Sequence, residues 1–489
     1  METLVLGGLY GQPLALLTDL YQLSMAAAAW KTGMDRREAV FHLLFRRAPF
    51  GGGFTIAAGL GTAVEYLREL RFTEADLDYL AGLDASSGEP LFEPTFLEHL
   101  RSLDLRVDVD AVPEGTAVFP QEPLLRVSGP VVPCMLLETP LLDLINFQTL
   151  IATKAARVCL AAEGDPVLEF GLRRAQGVDG AVSAARAAYI GGCAATSDVL
   201  AGRLLGIPVR GTHAHSWVML FDSEREAFAA YAKAMPHNVV LLVDTYDSLQ
   251  GVKNAIETGR WLRTQGRELA GVRLDSGDLA WLSIQARRML DAAGFTSTVI
   301  LASNELDENV IASLKQQGAR IGAWGVGTRL VTGAEDAALG GVYKLSAVRA
   351  PGGPWKGRIK LSEQSAKISV PGVLQVRRFT AAGEFAGDLI YDVEDGAHSR
   401  TLVDMLDVTR RKTIPEGVPS EELLVPVLRG GNLVYAPPPL SESRERTRAQ
   451  LARLHAGIKR FVNPHQYPVG LDPALHERRL RMILEARGE

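Results

Sequence analysis

The sequence has little cysteine and no strong excess of charge of either sign. Three cysteines occur in 489 residues, at positions 134, 159 and 193, and none lies in a CxxC spacing. This pattern does not indicate a disulfide framework and favours a reducing compartment such as the cytoplasm. The net charge of -5 provides no basic footprint for nucleic acid. Any anionic ligand must therefore meet locally placed cations.

Long apolar runs are also lacking. The opening METLVLGGLYGQPLALL is interrupted by glycine and proline and follows no basic segment, so we expect no signal peptide. No uninterrupted apolar stretch reaches the roughly 18 to 20 residues that span a bilayer. Hydrophobic residues make up 47% and charged residues 22%, the balance of a soluble globular protein. We expect a cytoplasmic protein without membrane or nucleic-acid partners.

Motifs of several enzyme classes are missing as well. The chain contains no GxSxG elbow, no HExxH pair and no Walker loop GxxxxGK[ST]. A hydrolytic triad, a zinc protease and a P-loop ATPase therefore have no support from sequence motifs.

The pattern of the chain changes near residues 130 and 345, and its length favours two or three domains. Residues 1–130 show a helix over 14–31, a strand in AVFHLLFRR, short helices over 64–105 and strands over 107–128, which indicates an α/β domain. Residues 131–345 open with a helical stretch at 138–162 and then alternate strands with helices. Residues 346–489 form a C-terminal region, with a hairpin turning near Ala381–Gly383 and a helix over 441–461 whose apolar residues share one face.

Six short apolar runs in the central region each precede a polar or glycine-rich cluster. The runs are PVLEF, GIPVR, NVVLLV, GVRL, TVILA and IGAWG. Repeated strand–loop–helix units with right-handed crossovers make a parallel sheet, either open and doubly wound or closed as a barrel. The barrel is favoured because reactive residue types follow at least five successive strands, whereas an open sheet concentrates its site at one switch point.

The cluster VRLDSGD offers a cation and carboxylates at a strand end. Arg273 and Asp275 alternate along the strand and can share one cavity. An arginine fork suits a carboxylate or phosphate, and an aspartate suits ribose hydroxyls or magnesium. An internal ion pair is the structural alternative. VDTYDS adds a second acidic pair, Asp244 and Asp247, with the same alternative.

The cluster WGVGTRLVTG is a candidate phosphate loop. Gly325 and Gly327 let backbone N–H groups approach an anion, and Thr328 adds a hydroxyl donor. The last loops of a barrel are the usual phosphate site. The motif is short, so the prediction of a phosphate site depends mainly on its position late in the strand series.

The segment GIPVRGTHAHSWVML contains two histidines, His213 and His215, that alternate along an extended stretch. Zinc needs three or four ligands, and no cysteine or histidine partner lies at a suitable spacing. A structural histidine satisfied by its neighbours is the alternative to a catalytic one.

Many ordered segments, spread over about residues 14–472, together resemble the nicotinate phosphoribosyltransferases. They are LLTDLYQLSMA, FRRAPFGGGFTIAAGL, EFGLRRAQG, GGCAATSDVLAGRLLGIPVRGTHAHSWV, LLVDTYDS, GVRLDSGDL, GVGTRLVTG and NPHQYPVGL. The resemblance implies an α/β fold: an N-terminal α/β domain, an irregular TIM-like barrel of the type II phosphoribosyltransferase kind and a C-terminal extension, in a homodimer. It also implies that nicotinate and 5-phosphoribosyl 1-diphosphate give nicotinate mononucleotide and diphosphate, with Mg²⁺ and with ATP as co-substrate, as in an ATP-dependent ligase of NAD biosynthesis.

The resemblance further assigns expected roles to individual residues. The histidine three positions after the Gly-Thr threonine, His215, is the expected phosphoryl acceptor, and His213 is a neighbour. The residues expected to contact nicotinate are Tyr21, Thr212 and Arg273, with Phe170 and Arg173 as further candidates. The residues expected to bind phosphoribosyl diphosphate are Asp275, Ser276, Gly327 and Thr328, and the magnesium candidates are Asp244 and Asp275.

The sequence leaves two alternative functions open, and one residue departs from the pattern expected for the family. A nicotinamide or quinolinate phosphoribosyltransferase is the nearest alternative, although nicotinamide lacks the charge that Arg273 would pair with. A non-catalytic phosphosugar-binding barrel is the alternative from another class. Val373 stands where many members of the family are expected to have lysine, which puts a phosphate-binding role for that position in doubt.

Overall fold

The computed structural model describes residues 6–488, which form two compact units. Residues 1–153 and 338–489 belong to the first unit, and residues 154–337 form the second. The boundaries expected from the sequence, near 130 and 345, divide the chain into consecutive regions. The first unit instead combines the two ends of the chain.

The N-terminal part of the first unit is mixed α/β, as its sequence pattern indicates. Its helices, the last of which continues into the second unit, are α1 (Leu6–Tyr10), α2 (Leu20–Lys31), α3 (Leu60–Glu69), α4 (Glu74–Ala81), α5 (Pro94–Arg101), α6 (Val131–Leu136) and α7 (Glu138–Ala161). Its strands are β1 (Glu38–Phe45), β2 (Thr55–Ile56), β3 (Asp108–Ala111), β4 (Ala117–Val118) and β5 (Pro123–Pro130). The helix expected over 14–31 begins only at Leu20, because residues 14–19 form turns.

The second unit alternates strands and helices along its whole length. Its strands are β6 (Val167–Glu169), β7 (Ala195–Thr196), β8 (Val240–Leu242), β9 (Gly271–Leu274), β10 (Val299–Ala302) and β11 (Ala323–Val326). Its helices are α8 (Gly177–Gly191), α9 (Val199–Leu205), α10 (His215–Val218), α11 (Glu224–Ala234), α12 (Ser248–Thr264), α13 (Leu279–Ala292), α14 (Glu308–Gln316) and α15 (Thr328–Val331).

The C-terminal part of the chain is largely β. Its strands are β12 (Gly341–Arg349), β13 (Lys356–Gly357), β14 (Leu374–Ala381), β15 (Glu384–Asp392), β16 (Thr401–Val403), β17 (Arg411–Thr413), β18 (Ser420–Glu422), β19 (Val425–Arg429), β20 (Asn432–Leu433) and β21 (Val469–Leu471). Its helices are α16 (Leu440–Ala452) and α17 (Pro473–Arg487).

Short 3-10 turns occur in all parts of the chain. They lie at Met34–Arg36, Pro49–Gly51, Leu172–Arg174 and Ser365–Lys367.

Strands from both ends of the chain build the main sheet of the first unit, in the order β13-β12-β1-β5-β3-β19-β20. Strand β1 lies antiparallel between β5 and β12, and five of its eight residues are buried in one run, as expected for a strand that is covered on both faces. A second sheet of the first unit has the order β17-β16-β21-β15-β14-β18. The expected hairpin is present, because β14 and β15 pair across a turn in which Ala382 and Gly383 both have positive φ.

The helix expected over 441–461 is shorter than its apolar pattern suggests. Helix α16 ends at Ala452, and the following residues form turns. Leu451, Leu454 and Ile458 are nevertheless buried. Their burial produces the apolar spacing without a continuous helix, so the expectation is wrong for the segment beyond Ala452.

The parallel sheet of the second unit has the strand order of a barrel. The order is β7-β6-β11-β10-β9-β8, so the first strand of the series, β6, pairs with the last one, β11. The gap between β7 and β8 is spanned by residues 208–213: Arg210 donates its N–H to the carbonyl of Thr196, and His213 Nε2 accepts the N–H of Leu242. The sheet therefore has a barrel-like strand order but is not closed by a strand ladder, because an irregular segment lies between β7 and β8.

One helical stretch, Val131–Ala161, is long and apolar enough to cross a membrane by length and composition alone. In the structure, 61% of an apolar 18-residue segment of this stretch is buried within the protein. A buried core helix of a globular protein passes the same test.

Candidate active site

The loops that follow five of the parallel strands meet at one edge of the second unit. All these strands run in the same direction, so their carboxyl ends share that edge, where barrel enzymes place their sites. A cavity of about 160 Å³ opens there. The residues that line it are Phe170, Arg173, Arg174, Arg273, Asp275, Ser303, Asn304, Glu305, Gly325, Gly327 and Thr328.

Arg273, near the end of β9, lies at the centre of a hydrogen-bond network. Its Nε donates to Ser303 Oγ at 2.7 Å, its Nη1 to Thr212 Oγ1 at 3.0 Å and its Nη2 to Asp275 Oδ1 at 2.8 Å. Its side chain is only 14% exposed. These contacts hold the guanidinium in one orientation at the cavity wall. The network brings together Thr212, Arg273 and Asp275, which the sequence placed in one site.

Asp275 is both an ion-pair partner and a bridge to the neighbouring loop. The hydrogen bond from Ser303 and the charge of Arg273 hold the pKa of Asp275 below its usual value, although burial opposes this shift. The backbone N–H of Asp275 donates to Asp244 Oδ2 at 2.8 Å, and the Ser276 hydroxyl donates to the same oxygen at 2.7 Å. The loops after β8 and β9 are therefore joined through Asp244.

His215 opens the short helix α10 and faces the same cluster. Its Nδ1 lies 3.2 Å from Thr245 Oγ1, and its Nε2 lies 3.7 Å from Asp275 Oδ2. The side chain is 41% exposed, so the ring contacts Thr245 and Asp275 and still faces solvent. This combination suits a ring that must react with a ligand from solution.

His213 lies in a different environment from His215. It is buried, its Nε2 accepts the N–H of Leu242, and the rings of Phe228 and Tyr231 pack against it. Burial lowers the pKa of His213. The two histidines therefore do not form a pair, and the structure agrees with His213 as a structural neighbour.

Phe170 provides the aromatic wall of the cavity. It follows β6, and its ring centroid lies 5.7 Å from the guanidinium carbon of Arg273. The turn after it is held by buried Glu169, which accepts the N–H of Gly171 and the hydroxyl of Thr196. Burial raises the pKa of Glu169. Gly325 leaves room for the ring, since a Cβ there would lie 2.6 Å from a Phe170 ring carbon.

The candidate phosphate loop also reaches the cavity. Gly327 and Thr328 line it directly after β11, and Thr328 Oγ1 donates to Glu305 Oε1 at 3.3 Å. Arg173 and Arg174, in the 3-10 turn after Phe170, are exposed and line the same cavity. Two cations and a glycine-containing loop thus share one wall.

Tyr21 differs from the other expected site residues, because it belongs to the first unit. It is the second residue of α2 and is 49% exposed. The cavity lining described above comes entirely from the second unit. A nicotinate contact by Tyr21 stays a prediction.

Two aspartates of the acidic clusters have a local structural role. The Asp247 carboxylate accepts the N–H of Gln250 at the start of α12, and the Asp278 carboxylate accepts the N–H of Trp281 at the start of α13. Both are helix N-caps, a position that aspartate strongly prefers. Of the pair Asp244 and Asp247, only Asp244 joins the hydrogen-bond network around Arg273.

The sequence did not single out several residues of the site, among them the cavity-lining residues Arg174 and Asn304. Three others make hydrogen bonds within the site. Ser303 bonds both Arg273 and Asp275, Glu305 accepts from Thr328, and Thr245 contacts His215. Each lies in a loop directly after a strand of the series. Position after a strand was therefore the available signal, but their residue types gave no further indication of a role.

Comparison with known proteins matches both ends of the chain to one family. Residues 16–146 match the model of the nicotinate phosphoribosyltransferase N-terminal domain, and residues 375–479 match that of its C-terminal domain. The nicotinate phosphoribosyltransferase of Bacillus subtilis (strain 168) is 40% identical over 485 residues, covering 98% of this chain and 97% of that protein. The chain belongs to the nicotinate phosphoribosyltransferase family.

Solved structures agree with membership of the nicotinate phosphoribosyltransferase family. The crystal structure of human nicotinic acid phosphoribosyltransferase has a TM-score of 0.83 at 35% identity and covers 95% of this chain and 99% of that one. The nicotinate-nucleotide pyrophosphorylase from Pyrococcus furiosus has a TM-score of 0.68 at 21% identity, covering 90% of this chain and 95% of that one, which shows the fold alone. The family and the α/β fold class expected from the motifs are confirmed.

Proposed function

We propose that this chain is a nicotinate phosphoribosyltransferase of NAD biosynthesis, which forms nicotinate mononucleotide and diphosphate from nicotinate and 5-phosphoribosyl 1-diphosphate. The observation that carries the proposal is the position of Arg273 beside Phe170, in one cavity with the Gly327–Thr328 loop. Nicotinate is an aromatic carboxylate, and it needs a ring to pack on and an arginine to pair with. A phosphorylated sugar needs the anion-binding loop.

In this proposal the two substrates meet between the aromatic wall and the phosphate loop. Arg273 and Thr212 bind the nicotinate carboxylate, and Phe170 packs on the pyridine ring, with Tyr21 and Arg173 as further contacts. Asp275, Ser276, Gly327 and Thr328 bind the phosphoribosyl diphosphate. The pyridine nitrogen attacks ribose C1 while the bond from C1 to the diphosphate oxygen breaks. Fixed donors stabilise the negative charge that develops on the leaving group.

Asp244 and Asp275 are the proposed protein ligands of Mg²⁺. Asp244 Oδ1 supports this assignment because it is buried and lacks a hydrogen-bond partner within the described part of the chain. Residues 6–488 contain no group of three or more acidic, histidine or cysteine side chains that could hold a metal. The substrate diphosphate and water would therefore supply the remaining oxygens, as is usual for magnesium. An ion held there would neutralise charge on the departing diphosphate.

We also propose that ATP hydrolysis is coupled to the reaction through a phosphohistidine at His215, which makes the protein an ATP-dependent ligase. A ring nitrogen of His215 attacks the γ-phosphorus of ATP, ADP leaves, and water later releases the phosphoryl group as phosphate. A phosphorylated side chain carries about 1.5 to 2 negative charges at neutral pH. This charge beside Asp244 and Asp275 would help to organise Mg²⁺ and tighten substrate binding.

Incubation with ATP labelled at the γ-phosphate tests the phosphohistidine. The expected result is an acid-labile label on the wild-type protein and on His237→Ala, and none on His215→Ala. His237 is a suitable control because it lies in the same unit and bonds Arg267 at the surface. Equal labelling of His215→Ala would refute the assignment.

We further propose that the protein is a cytoplasmic homodimer. The near-neutral charge and the absence of disulfides among the three cysteines are compatible with a cytoplasmic protein. Sedimentation equilibrium tests the dimer: a single species of twice the mass of one 52.8 kDa chain is expected, and a monomer at micromolar concentration would contradict it.

The activity is tested by supplying each pyridine base separately. The purified protein is incubated with phosphoribosyl diphosphate, Mg²⁺ and nicotinate, nicotinamide or quinolinate, with and without ATP. Product from nicotinate, increased by ATP, is expected. Product only from nicotinamide or quinolinate would favour the corresponding transferase, and no product from any base would favour a phosphosugar-binding protein without catalytic activity.

A further inference from the structure

Ser303 is a buried hydroxyl that bridges a cation and a carboxylate in the candidate site. It follows β10 directly and is only 3% exposed. Its Oγ accepts the Nε–H of Arg273 at 2.7 Å and donates its own proton to Asp275 Oδ1. In the proposed phosphoribosyl transfer, Ser303 does not contact either substrate.

This bridge limits how Arg273 can present its donors. A guanidinium has five N–H groups. Ser303, Thr212 and Asp275 each take one of them, on Nε, Nη1 and Nη2 respectively. Within these contacts, one N–H remains on each terminal nitrogen. Two donors on neighbouring nitrogens suit the two oxygens of a carboxylate.

We propose that Ser303 is a positioning residue that fixes the orientation of the Arg273 guanidinium and thereby favours a carboxylate base over a carboxamide base. The inference rests on the proposed function, because it takes nicotinate as the substrate that Arg273 binds. A carboxamide offers one acceptor oxygen and an NH₂ donor, so it can satisfy only one of two donors and opposes the other.

Removal of the Ser303 hydroxyl changes which orientation of the Arg273 guanidinium has the lowest free energy. The Nε–H of Arg273 then has no partner in the buried wall, while Asp275 Oδ1 loses the proton of Ser303 and can accept another donor. The favoured rearrangement turns the Nε and Nη2 side of the guanidinium toward the Asp275 carboxylate as a bidentate pair. The two donors intended for the base then move away from it.

Ser303→Ala is compared with Ser283→Ala as a matched control. Ser283 lies in α13 of the same unit, is also buried, donates to the carbonyl of Ala280 and accepts the N–H of Arg320, with no bond to the Arg273 network. The measurements are kcat and KM for nicotinate, the affinity for nicotinamide as alternative base or competitive inhibitor, and the thermal midpoint of each variant.

The expected result for Ser303→Ala is a rise of about tenfold in the KM for nicotinate, since a hydrogen bond to a charged group contributes at least that factor. The change in kcat should be smaller, and the preference for nicotinate over nicotinamide should fall by about the same factor. Ser283→Ala should keep the wild-type KM and preference.

Three outcomes would overturn the inference. An unchanged preference in Ser303→Ala, or a loss in kcat with the KM unchanged, would show that Ser303 does not set the orientation of Arg273. Loss of folded protein in Ser303→Ala alone would show a structural role instead. Wild-type protein that forms no product from nicotinate would refute the proposed function itself, which distinguishes that failure from the other three.

Discussion

Asp275 is the residue on which the electrostatics of the site depend most directly. Its carboxylate lies between the guanidinium of Arg273 and the ring of His215 and accepts the hydroxyl of Ser303. These partners stabilise the ionised form, and the pKa of Asp275 is lowered although the group is partly buried. The carboxylate therefore remains charged at neutral pH, as required for a role beside Mg²⁺ and a cation.

The lowered pKa of Asp275 predicts a pH-dependent contribution to stability. A carboxyl with a lowered pKa stabilises the fold above its unfolded pKa of about 3.9 and loses this contribution as the pH falls through the lower folded value. Asp275→Asn should therefore have a lower free energy of unfolding than wild type at neutral pH, with a difference that shrinks below about pH 4. Urea unfolding at a series of pH values measures it.

Asp291→Asn is the control for this pH series. Asp291 forms an exposed ion pair with Arg287 on α13, and such pairs contribute about 0–1 kcal/mol. A difference for Asp275→Asn that grows toward acid pH would contradict the assigned ionisation.

Asn304 has a strained backbone in the wall of the cavity. Its φ is 124°, a value that residues with a Cβ rarely adopt, and its carbonyl accepts the N–H of Leu306 at 2.8 Å. Asn304→Gly should relieve strain of about 1–3 kcal/mol, offset in part by the larger entropy of the unfolded chain. We expect a net gain of about 1 kcal/mol in the free energy of unfolding, measured with urea.

Asn309→Gly gives the comparison for Asn304. Asn309 lies in the first turn of α14 and has no positive φ. Glycine there should cost about 0.3–0.5 kcal/mol, because asparagine is itself a poor helix former. If both variants were destabilised equally, Asn304 would not be strained.

Single residues also show where sequence reasoning succeeded and where it reached its limit. The Arg273 and Asp275 pair was predictable because residues two apart on a strand face the same side. Ser303 was not, since only the pairing of β9 with β10 places its hydroxyl beside Arg273. Asp247 and Asp278 also follow strands, but both are helix N-caps. Aspartate is favoured at that position whether or not a ligand is bound nearby.

At the scale of elements, β11 controls how close Phe170 can approach the cavity. A Cβ on Gly325 would lie 2.6 Å from the Phe170 ring. Gly325→Ala should therefore push the ring out of position and raise the KM for nicotinate by about tenfold, the cost of losing one good aromatic contact. Steady-state kinetics with nicotinate as the varied substrate measures the change.

Gly322→Ala is the matched control just before the same strand. Its Cβ would lie 3.5 Å from Val299, an ordinary contact, and its backbone has no positive φ. It should keep the wild-type KM. Equal effects of the two substitutions would mean that the close packing of β11 on Phe170 does not shape the base site.

The prediction of strands was accurate for most of the apolar runs in the central region. Five of the six runs in the central region contain a strand, in β6, β8, β9, β10 and β11. GIPVR contributes only a single bridge, between Thr196 and Val209. The strand β7 was missed because its two residues, Ala195 and Thr196, are too few to form a pattern. Tertiary pairing, and not local propensity, determines both of these cases.

At the scale of the whole molecule, the pairing of the first strand with the last is the arrangement of a barrel, although no ladder joins β7 to β8. The sequence favoured the barrel through the distribution of reactive residues over many loops, and the ladder between β6 and β11 agrees with it. The joining of residues 1–153 with 338–489 in one unit could not be read from the chain. Pairings between β1 and β12 are separated by about 300 residues, and no local pattern encodes them.

The most direct test of the account is the effect of ATP on nicotinate mononucleotide formation by wild type and His215→Ala. Initial rates are measured with nicotinate, phosphoribosyl diphosphate and Mg²⁺, each with and without ATP. ATP should stimulate the wild-type enzyme, whereas His215→Ala should form product slowly and at the same rate with or without ATP. Full ATP stimulation in His215→Ala would contradict this expectation.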